Sequence, residues 1–400
     1  MATNVYGNGT NSTAGANTIV HYYDRAGIKA ANRVNVYQQF ADRKSMPKKM
    51  GKTFKISKFL HMYDRTPADG DFAAKGYMTA RTADEVSTSL TNAGLAEGAG
   101  AVNKRSLQKI TVETTLARYG EMIDYTDEVE LFSEDAMQVR YREELGELAN
   151  SRMEDLIQLD MLGTGTVLYS GTATSMATIG AGVAADGSTD DQYKVSYDLI
   201  RAAGRKLLRN RAKKTTQIVT GSNKIDTKTV AAAYYAIIGA DVKADLENLT
   251  RGSTYEREFV FTPAHKYAAA GNLAEGEIGQ MHETRFIEAE SAVVYAGEGA
   301  VPPQNYVGGL SISGATDLTS AVEADRGNFD VFPILYPTQG AFATVGLKGQ
   351  DKIVFKSKSP EVVENANPYG TNGFFSYNFF YAGLILEEEK LLKVLVAASA

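Results

Sequence analysis

One stretch constrains the fold of this chain more than any other: Arg118 to Gly165, where a β-patterned segment passes through an acidic turn straight into one long helix. Tyr119, Met122, Ile123 and Tyr125 pattern as a strand. Ser133 is placed to cap the helix, with Glu134 and Asp135 in a first turn where carboxylates suit the exposed amides and the dipole. Ala136, Val139, Leu145, Leu148, Arg152, Leu156, Leu159 and Met161 recur at spacings of three and four, and Gly163 and Gly165 end the run. At about 1.5 Å per residue the predicted helix is about 45 Å long, enough to cross a whole domain. Its other face carries Glu143, Glu144, Glu147, Glu154 and Asp155, so the expectation is an architectural spine with a solvated or partner-facing flank.

The chain has 400 residues, more than one core usually covers, which predicts two or more subdomains. No apolar run approaches the roughly 20 residues a membrane-spanning helix needs. Met1 to Asn17, rich in Gly, Asn, Thr and Ser, has neither a basic nor an apolar region of a secretory signal and predicts a flexible arm. The sequence contains no Cys, which excludes disulfides, thiolate nucleophiles and Cys-ligated zinc and fits synthesis in a cytosol.

The net charge of −6 hides an internal asymmetry. Between Arg25 and Lys58 stand Arg25, Lys29, Arg33, Arg43, Lys44, Lys48, Lys49, Lys52, Lys55 and Lys58, against Asp42 alone. Between Asp127 and Asp160 the balance reverses, with the spine carboxylates outnumbering Arg140, Arg142 and Arg152. Complementary fields of this kind steer docking and fix register between subunits, which makes Arg43, Lys44, Lys48, Lys49 and Lys52 on one side, and Glu143, Glu144, Glu147, Glu154 and Asp155 on the other, candidates for contacts between copies. Two ordinary solvated faces that never meet would carry the same charges. A third basic run, from Arg201 to Lys214, sits largely on a predicted helix over Tyr197 to Asn210, as a solvated face.

Thr53 to Leu60 alternates as a strand, and a second strand-like run returns at Leu107, Ile110, Val112 and Leu116. The two predict an extended two-stranded projection with a small, polar middle around Asn92 to Asn103. An isolated hairpin is marginal in water, so a neighbouring subunit is the expected support. Beyond the spine the chain is mixed. Strands are predicted at Gln217 to Thr220, Glu258 to Phe261, Arg285 to Glu288 and Ala292 to Tyr295, and the strand-rich remainder includes Val331 to Leu335, Ala341 to Leu347, Ile353 to Lys356, Phe374 to Leu386 and Leu391 to Val396.

Motifs that carry chemistry are missing. Gly51-Lys52-Thr53 imitates the end of a phosphate loop, but Met46 stands where the first Gly belongs. Asp186 to Asp191 lacks the residue order of a calcium loop and reads as a polar surface loop. His21, His61, His265 and His282 have no paired spacing, and no Gly-x-Ser-x-Gly elbow occurs. No catalytic, cofactor or metal residue is assigned. The alternative to a structural role is an enzyme or ligand-binding module with its site within 197–330, or one using the aromatic run Phe374 to Tyr381; that run is read as a core strand covered on both faces.

Tyr119-Gly120-Glu121-Met122-Ile123-Asp124-Tyr125-Thr126-Asp127, followed by the spine and Gly163-Thr164-Gly165, resembles the major capsid proteins of short-tailed phages (podoviruses) that carry a giant RNA polymerase in the virion. Tyr234-Tyr235-Ala236-Ile237-Ile238 with Asp241 to Leu246, Gly276-Glu277-Ile278-Gly279 before Arg285-Phe286, and Gly340-Ala341-Phe342 before Val345-Gly346-Leu347 follow in the same order. The resemblance covers most of the chain and implies an α+β, Hong Kong 97-like capsid fold. It assigns residues 1–51 to an N-terminal arm, 52–113 to an extended loop, 114–196 to a peripheral domain with the spine helix, 197–327 to an axial domain and 328–400 to return strands serving both. It further implies a non-enzymatic protein without cofactor, assembling with itself into hexamers and pentamers of an icosahedral head around double-stranded DNA, which it contacts non-specifically. The expected location is the virion, after assembly in the bacterial cytoplasm, with room for scaffold, portal and decoration proteins as partners and no membrane contact.

Overall fold

In a computed structural model, which describes residues 35–59, 82–95, 97, 107, 109–132, 137–215, 232–251, 258–259, 262–263, 274–349, 352–363 and 367–400, the spine helix runs from Met137 to Leu162. Its 26 residues span about 39 Å at the α-helical rise. A separate short helix, Asp127–Phe132, precedes it, and Ser133, Glu134, Asp135 and Ala136 lie outside the described residues.

The strands follow in chain order. The first half of the chain holds β1 (Asp42–Met46), β2 (Thr53–Phe59), β3 (Lys109–Thr115), β4 (Ala117–Thr126) and β5 (Val167–Tyr169). Next come β6 (Tyr234–Ile238), β7 (Thr250–Arg251), β8 (Glu258–Phe259), β9 (Thr262–Pro263), β10 (Glu277–Met281) and β11 (Thr284–Glu288). The last are β12 (Ile312–Ser313), β13 (Asn328–Phe329), β14 (Phe332–Tyr336), β15 (Phe342–Leu347), β16 (Val354–Lys358), β17 (Asn372–Ile385) and β18 (Leu392–Val396). Two larger sheets organise them.

A five-stranded sheet has the order β1-β15-β17-β16, with β4 also paired to β17. Strand β17 is long enough, at 14 residues, to hold three neighbours: β4 along Asn372 to Tyr381, β16 along Phe374 to Asn378, and β15 along Ala382 to Ile385. Alternation along β17 buries Phe375, Tyr377, Phe379 and Tyr381, and the spine helix lays Leu145, Ala149, Ile157 and Met161 into the same core. Each such side chain contributes roughly 1.5–3 kcal/mol when removed from water. The other face of β17, with Phe374, Ser376, Asn378 and Phe380, is only half-buried, which corrects the expectation that both faces are covered.

A seven-stranded sheet has the order β5-β18-β14-β6-β11-β10-β9. All five residues of β6 and all five of β14 are buried, because this sheet is covered on both sides. Tyr235, Ile237 and Leu335 face the core shared with the spine, whereas Tyr234, Ala236, Ile238, Ile334 and Tyr336 face a second core. The helix Tyr197–Arg209 closes that second core with Ile200, Ala203 and Leu207, and starts where the Ser196 hydroxyl accepts the Leu199 amide at 3.2 Å. A third core gathers Ile179, Tyr193, Tyr306 and Phe329.

Several expectations shift. Val167–Tyr169, within the 114–196 segment, pairs with β18 in the seven-stranded sheet. Strand β1, inside the 1–51 segment expected to be an arm, runs parallel to β15. Ala292 to Tyr295 forms no strand; Tyr295 makes a single bridge to Val331 while Val293 packs on the first core. The run Gln217 to Thr220 lies outside the described residues.

Candidate assembly surfaces

Strands β2 and β3 pair antiparallel from Thr53 opposite Thr115 to Phe59 opposite Lys109, forming the two-stranded projection expected from the sequence. No residue of either strand is buried. The base is pinned by Leu116, which packs with Met46, Val345 and Ala382, and with Phe54 at their edge. Farther out, Lys55 and Glu113 pair across the hairpin at 2.6 Å on an exposed face, a geometry worth under about 1 kcal/mol. The segment between the strands, expected to be small and polar, includes a helix at Ala83–Ala93; most of 92–103 lies outside the described residues.

The candidate contact residues fall in distinct places. Arg43 and Lys44 lie on β1, and Lys48, Lys49 and Lys52 on the connection to β2, all exposed. Lys49 adopts a left-handed φ of 68° in that turn. On the spine, Glu143 and Glu144 are exposed, and Glu147 and Asp155 half-buried.

Glu154 is a correction. It is fully buried, and one carboxylate oxygen accepts the backbone amides of Val36 and Tyr37, while Gln158 donates to the Tyr37 hydroxyl at 2.9 Å. It ties the N-terminal segment of its own chain to the helix and presents nothing to a neighbour. Conversely Val139 and Leu159, read as part of the apolar stripe, are exposed. The helix is flanked by the N-terminal segment as well as the sheet, so its buried surface is rotated from the sequence pattern. Arg152 also faces out, 3.1 Å from Glu121 on β4.

Exposed apolar groups gather at one end of the five-stranded sheet. The Asp127 amide donates to the Thr371 carbonyl at 2.9 Å, which places the helix Asp127–Phe132 beside the β16–β17 connection. Leu131 and Phe132 on the helix, and Val363 and Tyr369 on the connection, are exposed, Phe132 by 86%. Exposed apolar groups gathered in one place are a common feature of contact surfaces.

Titratable groups elsewhere serve the fold. Asp190, expected on a polar surface loop, is buried and accepts from the Tyr306 hydroxyl and the Gly309 amide, both at 2.9 Å. Burial raises the Tyr306 hydroxyl pKa well above the usual tyrosine value. Lys393 donates to the Leu162 carbonyl at the spine's C-terminus, and burial depresses its ammonium pKa. Among the described residues no group of three or more His, Asp or Glu side chains is arranged to hold a metal ion. His282 is exposed in the β10–β11 turn; His21, His61 and His265 lie outside the described residues.

The fold as a whole is similar to those of several phage capsids. The capsid of Ralstonia phage GP4 superposes with a TM-score of 0.56 at 12% identity, covering 98% of this chain and 99% of that one. The mature capsid of bacteriophage PhiM1 does so at 0.52 and 8%, covering 97% and 96%, and the capsid of cyanophage P-SCSP1u at 0.51 and 11%, again covering 97% and 96%. In sequence, the chain is 28% identical over 396 residues to a protein of Pseudomonas phage KPP21 described as its major capsid protein, covering 95% of this chain and 93% of that one. No protein-family model matches the chain.

Proposed function

We propose that this chain is a major capsid protein, a structural subunit and not an enzyme, whose copies build a phage head. The observation that carries this reading is likeness along nearly the whole chain, in sequence to one phage major capsid protein and in fold to several phage capsids. The alternative of an enzyme or ligand-binding module within 197–330 has no such support.

In this reading the copies form hexamers and pentamers of an icosahedral shell around double-stranded DNA, inside the virion, after assembly in the host cytoplasm. Residues 52–113 act as the extended loop reaching a neighbour, the five-stranded sheet and spine as the peripheral domain, and the seven-stranded sheet as the axial domain. Residues 328–400 return through both. What supports the loop assignment is a ladder about 20 Å long with no buried residue, which a second subunit would stabilise. The net charge of −6 disfavours an inner face paved with cations, so DNA contact is non-specific and counterion-mediated. The podovirus group with a virion-borne giant polymerase is proposed from the order of motifs; mass spectrometry of purified virions should find this chain as the most abundant protein beside one very large polymerase.

The test of the main reading is electron microscopy of the full-length chain expressed alone and with its neighbouring genes. Shells, tubes or capsomers are expected. A persistent monomer in both conditions would overturn the reading.

A further inference from the structure

Two depressions lie end to end along one flank of the spine helix, where Arg142, Leu145, Met153 and Ile157 recur at helical spacing. The first, a cavity of about 340 Å³, is walled by the helix, β1, β15 and the turn into β16, and carries Arg43, Lys44 and Lys352. The second continues along β16 and adds Arg142 and Lys356. Among the described residues no carboxylate lines either one. Between the cations the lining is apolar, with Ile353 and Phe380 in the first depression and Phe355, 52% exposed, in the second. Like charges gathered round an apolar floor are satisfied by a ligand that combines carboxylates with large apolar groups.

The same chain displays such a segment. The helix Asp127–Phe132 has the sequence Asp-Glu-Val-Glu-Leu-Phe, and Glu128, Val129, Leu131 and Phe132 are all exposed. It adjoins the Phe375 end of the second depression of its own copy but cannot reach the cationic first depression there. Its first amide is bonded to Thr371, whereas the cationic depression lies beside Tyr381, ten residues farther along β17 and so about 33 Å away at the strand rise. It also adjoins β4, on the edge of β17 opposite β16.

We propose that the Asp127–Phe132 helix of one copy docks into the trough of a second copy, its carboxylates meeting Arg43, Lys44 and Lys352 and its Leu131 and Phe132 covering the floor around Ile353 and Phe380. The inference rests on the capsid reading for the existence of a second copy, and on the charge and apolar complementarity of the two surfaces for its identity. It gives the Arg43–Lys44 pair a specific counterpart, other than the spine carboxylates.

The absence of Cys from the sequence makes a clean test possible. Full-length chains carrying Glu128→Cys and full-length chains carrying Lys352→Cys, both changes at exposed positions, are co-assembled and mildly oxidised. Disulfide-linked dimers are expected on a non-reducing gel from the mixed particles and from neither variant alone. Particles that form normally without dimers overturn the proposal while leaving the capsid reading intact; failure of the unmodified chain to form any particle overturns both. In a second arm, Lys44→Glu with Lys352→Glu should reduce particle yield at least tenfold, and adding Glu128→Lys should recover part of it. If the double variant instead forms shells at full yield that retain less DNA, the trough contacts nucleic acid and the proposal fails.

Discussion

The carboxylate of Glu154, inside the spine helix, accepts the backbone amide of Tyr37 at 2.5 Å. Both the Val36 and the Tyr37 main-chain amides donate to this buried acid, and such charge-assisted bonds are stronger than neutral ones. Glu154→Ala should therefore cost about 2–4 kcal/mol, since it strips a charge-assisted acceptor from buried donors and leaves a cavity. Glu154→Gln, which keeps an acceptor oxygen, should cost less than half as much. Urea unfolding of the unassembled subunit measures both; equal and negligible losses would show that the N-terminal segment is held by other contacts.

Two glycines should respond in opposite directions. A Cβ at Gly120 would stand 2.4 Å from the Tyr377 carbonyl oxygen, in backbone that the β4–β17 ladder holds fixed. Gly120→Ala is expected to destabilise by about 1–3 kcal/mol. At Gly204, within the helix Tyr197–Arg209, a Cβ would meet nothing within 4 Å. There Ala should stabilise by about 0.5–1 kcal/mol, through helix propensity alone. Thermal unfolding of the two variants beside the parent separates the cases.

Lys393 predicts a pH dependence. Burial lowers its pKa in the folded chain below the ordinary 10.5, so in the window between the two values the unfolded state binds more protons. Stability contributed at this position therefore increases as pH rises through that window, and the penalty for burying the ammonium is fully present below it. Compared with Lys393→Met, the parent should gain relative stability on moving from neutral pH toward pH 10.5. A difference that stays flat, or shrinks, over that range would contradict the assignment.

Replacing residues 53–115 by a short flexible linker should leave the two-sheet body folded, because neither β2 nor β3 buries a residue in it. Assembly should be lost. Circular dichroism tests the first expectation and sedimentation the second. Breaking only the Lys55–Glu113 pair with Lys55→Gln should change subunit stability by less than about 1 kcal/mol.

The sequence made the elements legible where one periodicity dominates. Strand β4, the β2–β3 pairing and the alternation of β17 follow from residues that see one kind of neighbour, whereas the acidic turn read between β4 and the spine is a separate helix, Asp127–Phe132. It misled where a helix has two neighbours. The stripe through Val139 and Leu159 fits helical spacing, yet both are exposed, and Glu154 is buried because residues 36–37 supply amides from far outside any local window. Composition drew attention to Arg43 and Lys44 as contact candidates, but not that β1 and β15 would set them beside Lys352. That juxtaposition depends on tertiary pairing alone, and no spacing rule encodes it.

The pairing of β1 with β15 also bears on how the subunit is made. Lys44 is translated well before Val345, its partner in the ladder. Until Val345 follows, the ribosome-bound polypeptide lacks one complete wall of the trough, and closing so long a loop is slow as well as late. The surface formed by β1 and β15 thus exists only when two segments far apart in the sequence have met, so anything that weakens the β1–β15 ladder dismantles that surface while both segments are still present.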